Sequence, residues 1–219
     1  SNDVNAISID FQKTLWLATS NGLCRINKNR TFKRYGAQQG LMDVNINTIL
    51  TDYKNTKWLG TTTGLISFSD NHFRKFPIKR DQNSNLIECL FQDYENNLWI
   101  GSHAGLYKYR GNPFTFYGSN EGLINNFVIG VLRDSKNVLW VGSQDGGLFR
   151  YKNNAFIQFN EQNGLKAKTV NAIYEYTPGE LWLATEQGLS IYDGTHFIKK
   201  EDSTDIFSRS LNCFYMDSK

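Results

Sequence analysis

One short phrase built around tryptophan recurs five times in this chain at an almost constant interval. In each copy the tryptophan is followed by an aliphatic residue, then by alanine or glycine, and then by threonine or serine. The copies are centred on Trp16, Trp58, Trp99, Trp140 and Trp182, so the successive intervals are 42, 41, 41 and 42 residues. A period of about 40–45 residues made of short strands is typical of a β-propeller, whose repeats bury their apolar faces only against their neighbours.

Each repeat contains four predicted strands. An apolar run forms the first strand, and the aliphatic residue nine positions before each tryptophan predicts that this strand is covered on both faces. These aliphatic residues are Ile7, Ile49, Leu90, Val131 and Ile173. The second strand carries the tryptophan, the third opens on a Gly-Leu pair and the fourth begins at a phenylalanine. The sequence therefore predicts an all-β propeller of four-stranded antiparallel blades.

The repeat boundaries predict five full units and the beginning of a sixth. The units are 4–43, 44–84, 85–125, 126–167 and 168–208, followed by a first strand in 209–219. A sixth tryptophan would fall just past Lys219. We interpret residues 1–219 as one propeller domain or a propeller fragment. Two arrangements remain open: a tight five-unit ring with a leftover strand, or an open fragment of a larger array.

The turn between the first two strands carries a recurrent aspartate. Asp10, Asp52, Asp93 and Asp134 stand six residues before a tryptophan, and Asn or Gly usually stands three residues before it. Aspartate bonds to nearby amides in turns, and Asn and Gly tolerate a left-handed backbone, so this pattern predicts a hairpin. The alternative, a metal loop such as 93–97, is disfavoured because the ligand alternation of a calcium loop is missing.

The other residues that could act in catalysis or metal binding are interpreted as structural. The five hydroxyls three residues after the tryptophans share no general base, so we expect them to be structural. Cys24, Cys89 and Cys213 are too few for a disulfide framework and lack ligand spacing, which predicts buried free thiols. His72 and His196 are expected to be turn residues. No catalytic residue, metal or cofactor is predicted.

Charge and hydropathy exclude several classes of protein. The formal net charge is +3 with acids and bases interleaved, which disfavours a nucleic-acid partner. The sequence has no run of about 18 apolar residues, so it predicts no membrane span within this stretch, and no signal peptide is visible.

The combined pattern Asn-x-Ile-x-x-Asp-x-x-Asn-x-Leu-Trp-Ile-Gly-Thr-x-x-Gly-Leu resembles the two-component-regulator propeller repeat. The resemblance covers essentially the whole chain. It implies the extracytoplasmic sensor domain of Bacteroidetes hybrid two-component histidine kinases, in which seven-bladed propellers precede a β-sandwich domain, a membrane helix and a kinase. The chain departs from this pattern because it is too short for seven blades and has no kinase or phosphoacceptor segment.

The resemblance also implies a function, a location and partners. We expect a periplasmic module of an inner-membrane receptor that responds to oligosaccharide breakdown products. The expected partners are an oligosaccharide, further propeller and sandwich domains of the same parent chain, and a second receptor copy in a homodimer. In this family ligands also bind between two sensor domains, which would place the site outside this segment.

Propeller geometry predicts where a ligand would bind. The loops between second and third strands vary in sequence on a repeated frame, which is typical of recognition surfaces. Their polar residues are the candidate ligand-binding set: Asn21, Thr62, Thr63, His103, Gln144, Asp145, Glu186 and Gln187. Phe127 and Phe207 could stack on a sugar, and Lys79-Arg80 could favour an anionic sugar, although both the polar loops and the basic pair are also typical of solvated surface.

Three classes of function are open to a repeat chain of this kind. A sensor module is favoured because the repeats lack a catalytic set. A propeller lyase or glycosidase would need paired carboxylates or a histidine with a partner in the channel. A protein–protein scaffold remains open, although the Gly-His and Trp-Asp signatures of WD repeats are lacking.

Overall fold

The computed structural model describes residues 3–78, 85–111, 113–125, 127–199 and 209–214. The chain forms two compact units, Ser1–Thr115 and Phe116–Lys219.

The described residues of unit 1 form three four-stranded sheets, and the last strand of the third sheet crosses the unit boundary. Sheet 1 has β1 (Val4–Ile9), β2 (Leu15–Thr19), β3 (Gly22–Ile26) and β4 (Phe32–Tyr35). Sheet 2 has β5 (Ile46–Thr51), β6 (Lys57–Thr61), β7 (Gly64–Ser69) and β8 (His72–Phe76). Sheet 3 has β9 (Ile87–Gln92), β10 (Leu98–Ser102), β11 (Gly105–Tyr109) and β12 (Thr115–Tyr117).

Unit 2 contains two further sheets of the same kind. Sheet 4 has β13 (Val128–Arg133), β14 (Leu139–Ser143), β15 (Gly147–Lys152) and β16 (Ala155–Phe159). Sheet 5 has β17 (Val170–Thr177), β18 (Glu180–Thr185), β19 (Gly188–Tyr192) and β20 (Phe197–Lys199). In every sheet, neighbours in the chain are neighbours in the sheet. The prediction of five four-stranded blades, one per repeat, is confirmed.

The aspartate turns form as predicted and have one further bond. In sheet 2, Asp52 Oδ1 accepts from the N–H groups of Lys54 and Thr56 at 2.9 and 2.8 Å. Its Oδ2 accepts from the indole Nε1 of Trp58 at 2.8 Å. Asn55 has the left-handed φ of 65° that the hairpin requires. Each aspartate therefore connects its turn to the buried tryptophan of the next strand, which the sequence pattern did not reveal.

The recurrent hydroxyls close the loops that follow the tryptophan strands. Thr61 donates its hydroxyl to the carbonyl of Gly64 at 2.8 Å, and Thr19, Ser102, Ser143 and Thr185 bond to the equivalent glycines. These hydroxyls are buried. Their structural role agrees with the prediction.

Successive sheets within a unit are joined by side-chain to backbone bonds. Asn5 donates its Nδ2 to the carbonyl of Ile46 at 2.8 Å, and Asn47 repeats the contact with Ile87 at 3.1 Å. Ile46 and Ile87 are fully buried. This bond fixes the register of one first strand against the next, so the apolar faces interlock in a defined way.

Small residues after the tryptophans allow this close approach. A Cβ added at Gly60 would lie 2.5 Å from Thr48 Cγ2 and 2.6 Å from Ile87 Cγ2. We expect Gly60→Val to lower the free energy of unfolding by about 1–3 kcal/mol, because the side chain would force sheets 2 and 3 apart. The matched control is Gly36→Ala, where a Cβ would meet only Gln39 Oε1 at 3.8 Å. Urea denaturation of both variants checks this, and equal stabilities would contradict it.

The expectation that the first strands are covered on both faces is met fully only at Ile49, since Leu90, Val131 and Ile173 are half-buried. Ile7 was predicted to be covered on both faces, yet it is 60% exposed, whereas its counterpart Ile49 is 7% exposed. Ile49 belongs to the apolar cluster that sheets 1 and 2 share. Among the described residues of unit 1, no sheet packs on Ile7 in the way that sheet 1 packs on Ile49.

Residues 209–214 follow sheet 5 without forming a strand, although the sequence predicts a first strand in 209–219. Leu211 still takes a first-strand position. Its N–H donates to the carbonyl of Thr185 at 2.9 Å, and its carbonyl accepts from Asn171 Nδ2 at 2.7 Å. No strand pairs with this segment among the described residues. Cys213 is exposed, and Cys24 and Cys89 are half-buried, whereas the sequence predicts that all three thiols are buried.

Candidate functional site

Each sheet has two chemically different ends. The end that carries the loops between second and third strands, together with the segments linking successive sheets, is called the linker end. The end that carries the aspartate hairpins is called the turn end. All eight predicted ligand-binding residues lie in loops at the linker ends of their own sheets.

The predicted residues of unit 1 are held by neighbouring loops. The carboxylate of Asp43 accepts from the Thr62 hydroxyl at 3.0 Å and from the Thr63 N–H at 2.9 Å. Burial would raise the pKa of Asp43, but hydrogen bonds from Asn45 and from the threonines hold it below its usual value. Asn21 is exposed, and its carbonyl accepts from the guanidinium of Arg34. These contacts stiffen the loops.

His103 lies in the loop of sheet 3. Its Nε2 is 2.8 Å from Glu88 Oε1, and its backbone N–H donates to the carbonyl of Leu86 at 3.2 Å. The imidazole thus bonds to its own first strand, and its role is at least partly structural.

The predicted residues of unit 2 bond to the segments that link successive sheets, which include residue 127 before sheet 4 and residues 166–169 between sheets 4 and 5. Glu186 accepts from the N–H groups of Lys168 and Thr169, both at 2.8 Å. Gln187 donates its Nε2 to the carbonyl of Lys166 at 3.3 Å. The backbone N–H of Gln144 donates to Phe127 at 2.9 Å. Glu186 therefore acts as a clamp on the linking segment, and its oxygens are already used for this.

A buried anchor fixes the linking segment between sheets 4 and 5. Residues Glu161–Asn163 form a 3-10 turn that ends at Gly164, whose φ of 93° is left-handed. Leu165, the next residue, is fully buried. The same turn, glycine and buried leucine occur at Gly40-Leu41 and Gly122-Leu123. The sequence marks these Gly-Leu pairs, but only the structure identifies the leucine as an anchor.

Two adjoining clefts flank this linking segment. The first, the linker cleft, has a volume of about 450 Å³ and includes Asp145, Gln158, Gln162, Lys166 and Lys168 in its lining. The second, the Phe197 cleft, has a volume of about 210 Å³ and is lined by residues that include Lys166, Thr185, Gln187, Ser190 and Phe197. Lys166 and Ala167 line both.

These clefts combine polar groups with an aromatic ring. Amide, carboxylate, hydroxyl and ammonium groups can bond to ligand hydroxyls, and Phe197 is a half-buried ring at the wall. Asp145 and Gln187 are the predicted residues that line them. Lys166, Gln158 and Phe197 were missed as site residues, because only the folded linking segment brings them together. Phe207 and Lys79-Arg80 lie outside the described residues.

Loop 93–97 and the Cys89 thiol do not have the environment of a metal site or a reactive thiol. Asp93 Oδ1 accepts from the N–H groups of Glu95 and Asn97, and its Oδ2 accepts from Trp99 Nε1, so loop 93–97 is a hairpin turn. Burial raises the pKa of the Cys89 thiol to about 12, so it stays protonated at neutral pH. Among the described residues there is no helix with the length and apolar character that a membrane span requires.

Known proteins with similar folds include extracellular domains and enzymes. The extracellular domain of a hybrid two-component system of B. thetaiotaomicron is 27% identical with a TM-score of 0.73, over 86% of this chain and 26% of that one. The extracellular domain of a one-component system of the same organism is 17% identical, with a TM-score of 0.54, over 90% of this chain and 37% of that one. Virginiamycin B lyase of Staphylococcus aureus is 11% identical, with a TM-score of 0.74, over 92% of this chain and 70% of that one.

These similarities differ in what they establish. At 11% and 17% identity the lyase and the one-component domain share the fold alone. The chain spans about a quarter of the hybrid-system domain. No curated protein sequence matches the chain. Residues 81–104 and 122–145 match the family model described as "Two component regulator propeller". The resemblance inferred from the sequence is thereby confirmed for the two segments that match this family model.

Proposed function

We propose that this chain is a non-catalytic, periplasmic ligand-sensing module of a hybrid two-component histidine kinase, and that it binds an oligosaccharide in the two clefts of unit 2. The observation that carries the proposal is the pair of adjoining clefts on either side of the anchored linking segment. The repeat family and the similar extracellular domain support the receptor assignment.

The frame of the clefts is suited to recognition because its backbone is fixed from two sides. Leu165 anchors the linking segment in the core, and Glu186 clamps Lys168 and Thr169. Lys166 lies between these two fixed points with its side chain exposed. A ligand that binds there meets a preformed surface. Its affinity is therefore not reduced by the free energy that ordering a loop would cost.

The lining chemistry is suited to a saccharide. Gln162 and Lys166 are exposed at the cleft walls and can bond to hydroxyl groups. Phe197 packs against Phe159 and Tyr192 with ring centroids 5.8 and 4.9 Å apart, which holds its ring in place. A fixed aromatic ring beside polar side chains can contact the apolar face of a sugar while its hydroxyls are hydrogen-bonded.

Calorimetric titration of the protein with a panel of oligosaccharides tests the proposal. We expect at least one glycan to give a saturating heat, and Lys166→Ala to raise its Kd by about tenfold, because Lys166 lines both clefts and would provide a charge-assisted bond. The control is Lys152→Ala, an exposed lysine at the turn end of sheet 4.

The heat signal also separates binding from catalysis. Heat that continues without saturation, together with new reducing ends, would indicate hydrolysis and contradict the sensor proposal. A panel that gives no heat, or a Lys166→Ala variant that binds as tightly as the original, would contradict the assignment of the clefts.

A further inference from the structure

A buried lysine occupies a position that leucine holds in every other repeat. The residue before the tryptophan is Leu15, Leu98, Leu139 or Leu181, but Lys57 in the second repeat. Lys57 is 6% exposed. Its Nζ donates to the carbonyl of Asn55 at 2.8 Å and is 3.5 Å from Asp10 Oδ2. Burial lowers the pKa of Lys57, and the neighbouring Asp10 only partly offsets this.

Lys57 lines an open cleft between sheets 1 and 2 at the turn end of unit 1. We call it the Lys57 cleft. It has a volume of about 440 Å³, and Arg25 and Lys54 also line it. Arg25 lies 5.7 Å from the ring centroid of Trp16. Its Nε is buried without a hydrogen-bond partner in the part of the chain that the structure describes.

The acids of this cleft do not neutralise these cations fully. Asp10 Oδ1 accepts from the N–H groups of Gln12 and Thr14, and its Oδ2 accepts from Trp16 Nε1 at 2.9 Å. Asp70, the other carboxylate in the lining, lies in an exposed turn. The three cations of the lining therefore face two carboxylates, one of which is already bonded to three donors.

The cleft between sheets 2 and 3 provides an internal comparison. It has the equivalent position and a volume of about 420 Å³. In this cleft, Leu98 occupies the position equivalent to Lys57. Glu95 occupies the position equivalent to Lys54, and Ser67 occupies the position equivalent to Arg25. Its cations, Lys54 and Arg110, are matched by Asp52 and Glu95. The excess positive charge of the Lys57 cleft is therefore absent from the equivalent cleft between sheets 2 and 3.

We propose that the Lys57 cleft binds an oxyanion, namely the carboxylate or sulfate group of a small ligand. Arg25 offers a planar donor group whose buried Nε lacks a partner, and Lys57 offers a fixed positive charge beside it. A bound anion would relieve the repulsion between Arg25 and Lys57. This site is in unit 1 and at the turn end, so it is independent of the saccharide clefts of unit 2.

The indole N–H of Trp16 is a local reporter for this site. It bonds to Asp10, and both Lys57 and Arg25 lie over the Trp16 ring. We expect sodium sulfate and sodium glucuronate to shift the Trp16 indole resonance saturably in NMR titrations. Sodium chloride at matched ionic strength and neutral glucose should not do so. The indole resonances of Trp58, in the equivalent cleft, and of Trp140 serve as references in the same spectra.

Lys57→Leu tests the assignment without endangering the fold, because leucine is the residue of the other four repeats. We expect this variant to fold and to raise the Kd for sulfate by about tenfold or more. The charge-matched control is Lys152→Leu, which should leave the Kd unchanged. A saturable Trp16 shift with either oxyanion that Lys57→Leu weakens supports the proposal.

Three results would overturn it. The first is a Trp16 shift of equal size with chloride, which would mean that ionic strength alone causes the shift. The second is the absence of any shift with both oxyanions. The third is unchanged sulfate binding in Lys57→Leu. Failure of glycan binding in unit 2 would not affect this outcome, since the two tests use different ligands and different variants.

Discussion

Replacing Trp99 with alanine should lower the free energy of unfolding by about 3–5 kcal/mol, which is a large part of the stability of a domain this size. Trp99 is 3% exposed. Its Nε1 donates to Asp93 Oδ2 at 2.8 Å, and Lys108 Nζ lies 5.3 Å from its ring centroid. The substitution removes a buried ring, leaves a cavity in sheet 3 and deprives Asp93 of a donor.

Trp182→Ala is the matched control for this prediction. Trp182 is only half-buried and stacks on the exposed Tyr176, with ring centroids 4.5 Å apart. Its loss should lower the free energy of unfolding by less than about 2 kcal/mol. Urea denaturation followed by circular dichroism measures both. A Trp99→Ala variant as stable as the original protein would mean that this ring is not part of the core.

The second large effect is expected at the buried carboxylates of the hairpins. Asp52→Ala should lower the free energy of unfolding by about 2–4 kcal/mol, because three donors lose their acceptor and the Trp58 indole N–H is left buried without a partner. Asp52 itself is 6% exposed. Asp52→Asn keeps one oxygen acceptor and should lose about half as much.

Asp193→Ala is the control for Asp52→Ala, because it removes a carboxylate with similar hydrogen bonds from an exposed turn. The carboxylate of Asp193 accepts from the N–H groups of Thr195 and His196 at 2.8 and 2.7 Å, in an exposed turn. Water replaces the lost acceptor there, so the change in stability should be clearly smaller than for Asp52→Ala. Equal losses at the two positions, measured by urea denaturation, would contradict the argument from burial.

Much of the fold could be predicted because the repeat carries local signals. The third strands begin at the glycines of the Gly-Leu pairs, and Lys13, Asn55, Asn96 and Asn137 have the expected positive φ. Backbone preferences of this kind act over a few residues, so one sequence is enough to identify them.

What could not be predicted depends on contacts between distant residues. Ile7 is aliphatic like Ile49, yet its exposure depends on whether another sheet packs on it. Glu186 is a polar loop residue like Gln187, but its oxygens face the backbone of the linking segment. The candidate site could not be predicted for the same reason. Its residues Lys166, Gln158 and Phe197 meet only after sheets 4 and 5 are joined.

Each of the five sheets carries one tryptophan, and the chain has no others. In four sheets the indole N–H bonds to an aspartate, whereas in sheet 5 it bonds to Glu180. Each indole N–H of the unaltered protein is therefore a separate probe of one known blade. Following the five signals through a urea series would show whether the blades melt together or one after another.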